Sequence, residues 1–178
     1  MFKQVFRVLI LLSLVFLTRC SDKIEYSIIP EISMSDKQVY HNPTQMIINF
    51  TDGDGDIGLT ALDSATPPYN FVPDSSNPEN LSSNIYYYNL ILHYYEKRDG
   101  VWEFIDFKEP IVDDILPFPF HAQVPIITPS GQNKALKGEI ELVIELLFTR
   151  PDSVRFEIIL VDRELHESNR LVTPIIYR

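Results

Sequence analysis

The chain has 178 residues, with 25 Asp and Glu against 15 Lys and Arg, a formal charge of −10 and a single cysteine. Such acidity excludes nucleic acid as a partner and direct electrostatic attachment to an anionic lipid surface. One cysteine excludes an internal disulfide, so the fold must rest on packing or on a bound metal.

Lys3 and Arg7 precede an apolar stretch from Val8 to Leu17, interrupted only by Ser13. At about ten residues it is half of what a spanning helix needs and matches the apolar region of an export signal, so removal of residues 1–19 is expected. The stretch ends Leu17-Thr18-Arg19-Cys20. This resembles the lipobox of bacterial lipoproteins, in which a Leu three residues before the Cys guides cleavage and the thiol receives a diacylglycerol. Arg19 stands where that motif usually has a small residue. The resemblance implies a lipidated Cys20 and a mature chain held to a membrane by acyl chains, each buried methylene adding about 0.8 kcal/mol. Removing residues 1–19 takes away Lys3, Arg7 and Arg19 and no acid, so 12 bases face 25 acids and the formal charge becomes −13. About 159 residues remain, which is one domain's worth.

Residues 20–23 read as a polar tether. Ser21-Asp22-Lys23 resembles the acidic export tags that follow the lipidated Cys in surface-exposed lipoproteins of the Bacteroidota, although Lys23 is basic. The implied location is the outer membrane, facing the periplasm or displayed at the surface. The remaining chain, 24–178, reads as one domain. Ile24 to Ile29 is expected to form the first strand, ending at Pro30, and Glu31 to Thr44 to be irregular, with Val39-Tyr40 a short edge piece. Gln45 to Thr51 alternates, with Met46, Ile48 and Phe50 on one face.

Asp52-Gly53-Asp54-Gly55-Asp56-Ile57-Gly58 follows directly, three carboxylates in five residues with no Lys or Arg anywhere from Gln38 to Glu96. Ca²⁺ takes six to eight oxygen ligands, and Asp alternating with Gly lets a tight loop turn several inward. An exposed acidic turn is the competing reading, since Asp and Gly are also common turn formers. Asp52, Asp54, Asp56 and Asp63 fall at EF-hand positions 1, 3, 5 and 12, but Ile57 replaces the obligatory Gly and no helix flanks the loop.

Residues 60–84 are rich in Ser, Asn and Pro and form a long loop, of the kind that is either functional or without fixed structure. Ile85 to Glu96 is the strongest strand signal, with Tyr86, Tyr88, Leu90, Leu92 and Tyr94 on one face. Lys97-Arg98-Asp99-Gly100 carries the Asp-Gly hairpin signature and Val101 to Phe107 returns antiparallel. Phe107 to Pro119 is a Pro-punctuated excursion in which the Asp113-Asp114 pair reads as solvated, and His121 to Ile127 is a further candidate strand. Gly138 to Phe148 alternates, with Ile140, Leu142, Ile144, Leu146 and Phe148 inward. Val154 to Asp162 and Leu171 to Tyr177 complete the set.

Seven short strands with turn signals between them predict an all-β fold, an antiparallel two-sheet immunoglobulin-like β-sandwich. In strand letters the assignment is A 24–29, B 45–51, C 85–96, C′ 101–107, E 138–148, F 154–162 and G 171–177. In that topology the B–C and F–G loops emerge at one end. Asp52, Asp54 and Asp56 are then expected to meet Asp162, with Glu164, Ser168 and Asn169 as further candidate ligands. His41, His93, His121 and His166 show no paired metal spacing.

Phe50 to Gly58, Thr128 to Ile140 and Phe156 to Asn169 together resemble a group of Bacteroidota lipoproteins to which no biochemical activity is tied, so the resemblance implies location and fold rather than a reaction. In that phylum Asp-Ser/Thr before an aliphatic residue can be O-glycosylated, and Asp63-Ser64-Ala65 and Asp152-Ser153-Val154 are similar to that pattern. The reading is a non-enzymatic, membrane-anchored module stabilised by Ca²⁺, serving adhesion or an envelope complex with a protein or glycan partner. Glycan binding through exposed aromatics, with Tyr87 and Trp102 as candidates, is the alternative, against which stands ordinary cross-strand packing. A hydrolase whose carboxylates meet only in the fold is the third.

Overall fold

The computed structural model describes residues 25–36, 44–70, 72–73, 81–82, 84–105, 120–127, 134–144 and 153–177. Its strands are β1 (Glu31–Met34), β2 (Thr44–Asp52), β3 (Val72–Pro73), β4 (Leu81–Ser82), β5 (Leu90–Arg98), β6 (Val101–Ile105), β7 (Leu136–Ile144), β8 (Ser153–Leu160), β9 (Leu171–Val172) and β10 (Ile176–Tyr177). One main sheet runs β1-β2-β7 and the second β10-β8-β5-β6 with β9 also on β8, while β3 and β4 pair as a separate two-stranded ribbon. Every strand pair is antiparallel. In immunoglobulin letters these orders are A-B-E and G-F-C-C′, so the fold is an all-β two-sheet sandwich in the expected strand order. Among the described residues no helix is long and apolar enough to cross a membrane.

Period-two patterning builds both sheets. Met46, Ile48 and Phe50 alternate with half-buried neighbours along β2, which pairs with β7 from Thr44 opposite Ile144 to Asp52 opposite Leu136. The three side chains pack against Leu90, Leu92, Tyr94, Phe156 and Ile158 of the second sheet in one continuous core. Tyr94, Phe120 and Phe156 form its aromatic centre, with ring centroids 5.2 to 5.4 Å apart. The β5–β6 hairpin is the expected two-residue turn: Asp99 (φ 49) and Gly100 (φ 84) both lie in the left-handed region that a type I′ turn requires.

The structure moves several boundaries. The first strand is Glu31–Met34, not 24–29, so part of the stretch read as irregular is ordered β-structure. Ile32 pairs opposite Phe50 and is buried, whereas Ile28 and Ile29 are exposed and outside any strand. Pro30 thus precedes a strand, a position where its missing N–H costs nothing.

The expected strand C begins at Leu90 rather than Ile85. Asn84 Oδ1 accepts from Tyr86 N and winds Ile85–Tyr87 into a 3-10 turn, which removes Tyr86 and Tyr88 from the inner face. Tyr86 packs instead with Ile91, Ile159, Val161 and Leu165 on the outer side of the second sheet, which accounts for the apolar residues on both faces of β5.

The last strand is broken in two. Thr173 bonds Phe156 through both its backbone N and its Oγ1, and Pro174 then supplies no donor. Residues 121–127 form isolated pairings, Ala122 with Leu90 and Pro125 with Leu59, rather than a strand. Val39-Tyr40, His41, residues 107–119, Leu146 and Phe148 lie outside the described residues.

Where the 121–127 segment crosses β5, the buried Asn89 substitutes for a ladder. Its Oδ1 accepts from Val124 N at 2.6 Å and its Nδ2 donates to Val124 O at 3.0 Å. Replacing it leaves the buried Val124 N without its acceptor, a loss of about 1–3 kcal/mol, while Val124 O keeps its bond from Leu59 N. Asn89→Leu is expected to lower the urea midpoint with an unchanged slope, a loss of about 1–3 kcal/mol. A midpoint equal to wild type would show that Val124 finds other partners.

Candidate metal centre

The acidic loop begins inside the sheet. Asp52 is the last residue of β2 and is fully buried, because its strand neighbours are locked to β7 and the alternation that buries Phe50 buries Asp52 as well. Its Oδ2 accepts from Gly55 N at 2.8 Å and from Asp56 N at 3.1 Å, folding the loop back over the carboxylate. Gly55 permits this fold, since it sits at φ 74 and an added Cβ would lie 1.9 Å from Lys134 O. Gly53 is hemmed in from another side, where an added Cβ would lie 2.5 Å from Tyr26 O and 2.8 Å from Ser27 O.

One carboxylate oxygen from each of Asp52, Asp54 and Asp56 lies within 4.8 Å of the others. That is the span covered by opposite ligands of an ion with metal–oxygen bonds near 2.4 Å. Asp52 Oδ1, Asp54 Oδ1 and both oxygens of Asp56 are buried and accept no hydrogen bond from the described residues. Burial first, and the neighbouring Asp54 charge next, push the Asp52 carboxyl up to about 6. Burial and then the Asp162 charge push Asp56 up to about 6 as well. No described Lys or Arg forms a salt bridge with the triad.

The loop between β8 and β9 comes to the same end, as the sandwich topology requires. Asp162 is buried and bears on both Asp52 and Asp56, while exposed Glu164 bears on Asp56. Asp162 already has partners on both oxygens, His166 N on Oδ1 at 2.8 Å and His166 Nδ1 on Oδ2 at 2.9 Å. Its hydrogen bond, followed by its charge, raises His166 above the usual imidazole range. Asp162 is therefore a charged neighbour of the triad with one lone pair left on each oxygen rather than an orphan like its members.

Ser168 and Asn169 do other work. Ser168 Oγ accepts from Leu160 N and donates to Asn169 O. Asn169 accepts from Ile32 N at 2.8 Å and donates to Ile32 O at 3.0 Å, stitching the loop of one sheet to β1 of the other. Sequence spacing missed this role, because residue 32 is far from residue 169 along the chain and nothing in either local pattern signals the pair.

A third segment closes the end. Asp63 accepts from Thr60 through both its backbone N and its Oγ1, which holds the carboxyl below its usual range, and pairs with Arg163 Nη2 at 3.1 Å. Tyr69 OH bonds Arg163 O, so the start of the long loop lies across the β8–β9 loop.

Tyr87 and Trp102 are not brought together. Tyr87 begins a ribbon of ring contacts running through Tyr88, His121, His93, Phe104 and Tyr95, and Trp102 joins its far end through Arg155. At the Trp102 end, the Arg155 guanidinium lies 4.5 Å from the Trp102 ring and 5.3 Å from Tyr95. Ser64 Oγ accepts from Gln123 Nε2 and Ser153 pairs with Tyr177 in the second sheet. Cys20, Asp113 and Asp114 lie outside the described residues. No family model, curated protein or solved structure matches the chain.

The raised carboxyls fix the sign of a pH effect. A carboxyl that holds its proton more tightly folded than unfolded stabilises the fold at low pH, and that stability is lost as pH climbs from the ordinary carboxylate value through about 6. In chelator, the melting temperature is expected to fall by several degrees between pH 5 and pH 7.5, and Asp56→Asn to flatten the fall. A flat profile for the unsubstituted chain would show that these groups ionise freely.

Proposed function

We propose that this protein is a lipid-anchored, extracytoplasmic β-sandwich module that binds Ca²⁺ between Asp52, Asp54 and Asp56. It acts without catalysis, in adhesion or as an accessory component of an envelope complex at the outer membrane. The observation that carries the ion is the group of four buried carboxylate oxygens that accept no hydrogen bond from the described residues. Buried unpaired carboxylates cost several kcal/mol each, and a divalent cation satisfies all of them at once. An oxygen-only donor set selects a hard cation, and an irregular carboxylate loop suits the flexible shell of Ca²⁺ better than the strict octahedron of Mg²⁺.

The anchor reading rests on Cys20 at the end of an export-type apolar stretch, and the formal charge of −13 left after processing fits a medium containing divalent cations. Glycan binding draws less support, since the ribbon between Tyr87 and Trp102 consists of rings engaged with one another and with Arg155.

Two measurements test the reading. At a hundredfold excess over its Kd, an ion adds about 2.7 kcal/mol to the folded state. For a domain of this size that is a rise of roughly 5–10 °C in millimolar Ca²⁺ over chelator. Asp54→Asn is expected to abolish the rise while increasing the melting temperature in chelator, because it removes one of three like charges. Superimposable melts of the unsubstituted chain with and without Ca²⁺ would sink the ion. For the anchor, Cys20→Ser is expected to end incorporation of labelled fatty acid and release the protein from the membrane fraction; label retained by the variant would place the anchor elsewhere.

A further inference from the structure

We infer that the loop end holding the acidic pocket is the face this protein lays against its own membrane, with Ile28, Ile29 and Leu62 entering the lipid boundary. The inference rests on the lipid anchor at Cys20 proposed above.

The first support is where the chain leaves the sandwich. Tyr26 and Ser27 lie against Gly53 of the acidic loop, close enough that no side chain would fit between them. From Cys20 to Tyr26 the chain advances six residues, at most about 20 Å whatever its path. Strand β5 alone, with nine residues, carries the opposite hairpin at Asp99-Gly100 about 30 Å from that end. A leash of about 20 Å cannot turn the hairpin end toward the membrane while residue 26 stays packed on Gly53. The acidic end, or at most a flank, is left to face the lipid.

The second support chooses the end over the flank. Ile28 is 55 % exposed, Ile29 48 % and Leu62 74 %; the other described large apolar side chains more than half exposed, Val101, Val143 and Tyr177, stand at the hairpin end, beyond the reach of the leash. Ile28 and Ile29 follow directly on the residues packed against Gly53. Leu62 lies between Thr60 and Asp63, which bond each other, and Asp63 is tied to Arg163. All three therefore belong to the loop cluster around the pocket. Aliphatic side chains presented by short loops partition into the headgroup and acyl boundary without needing charge. The surrounding carboxylates repel anionic headgroups, so docking is strongest on zwitterionic lipid and with Ca²⁺ present.

The chain's one tryptophan, Trp102, faces Lys97 beside the far hairpin and serves as an internal reference. The full lipidated chain is reconstituted in phosphatidylethanolamine and phosphatidylcholine vesicles with brominated acyl chains, in millimolar Ca²⁺. Leu62→Trp, and separately Ile28→Trp, are each made in a Trp102→Phe background and compared with unsubstituted Trp102. Quenching at least twofold greater at position 62 or 28 than at Trp102 is the expected result. Quenching equal at the three positions, or greater at Trp102, overturns the orientation while leaving the anchor intact. Failure of the chain to float with the vesicles overturns the anchor, and the orientation with it.

Discussion

Like charges gathered where water does not reach are the constraint on which this structure turns. Asp52 is fully buried at the end of β2, and Asp54 and Asp56 are drawn to its side by a loop that folds onto its own carboxylate. Two amide donors satisfy one oxygen of Asp52, and four oxygens across the triad are left over. A folded chain tolerates such a cluster only if its surroundings over-determine it or a cation discharges it. Burial and mutual repulsion raise Asp52 and Asp56 to about 6, and the proposed cation would relieve both.

The rest of the architecture holds that cluster in position. Nine paired residues between β2 and β7 fix the direction in which the chain enters the loop. The ladder of β5 on β8 sets where the β8–β9 loop emerges, and Asn169 on Ile32 ties that loop to the opposite sheet. Asp63 and Tyr69 then pin the following segment onto Arg163. Side chains replace backbone pairing wherever the sheets end: Asn89 for Val124, Thr173 for Phe156, Ser168 for Leu160. These substitutions keep buried peptide groups satisfied while the chain turns away from the ladder.

The two ends of the sandwich are chemically unlike. One carries the Asp52, Asp54 and Asp56 carboxylates, Ile28, Ile29 and Leu62, and the departing N-terminal segment. The other carries a tight Asp-Gly turn beside Trp102 and an ionic contact in which Arg98 reaches both Glu96 and Glu103. Glu96, although largely buried, is satisfied by Arg98 and Tyr94 OH, so burial of an acid at this end comes with partners. Asp52, Asp54 and Asp56 at the opposite end show the contrast: no described Lys or Arg forms a salt bridge with any of them.

By itself the sequence determined the class of fold, the strands whose alternation is uninterrupted, the Asp-Gly hairpin and the acidic loop as the place to look for an ion. Those features are local: alternation of apolar residues buries one face of a strand whatever it pairs with, and Asp-Gly supplies positive φ wherever it stands. Tertiary structure alone decided that Ile32 rather than Ile28 enters the core, because Phe50 is there to pair with it. It alone decided that Tyr86 turns outward onto Ile91, and that Ser168 and Asn169 are spent on backbone groups. It also decided which oxygens of Asp52, Asp54 and Asp56 are left without a donor, since that depends on contacts between residues far apart in the chain, and no local pattern encodes a partner of that kind.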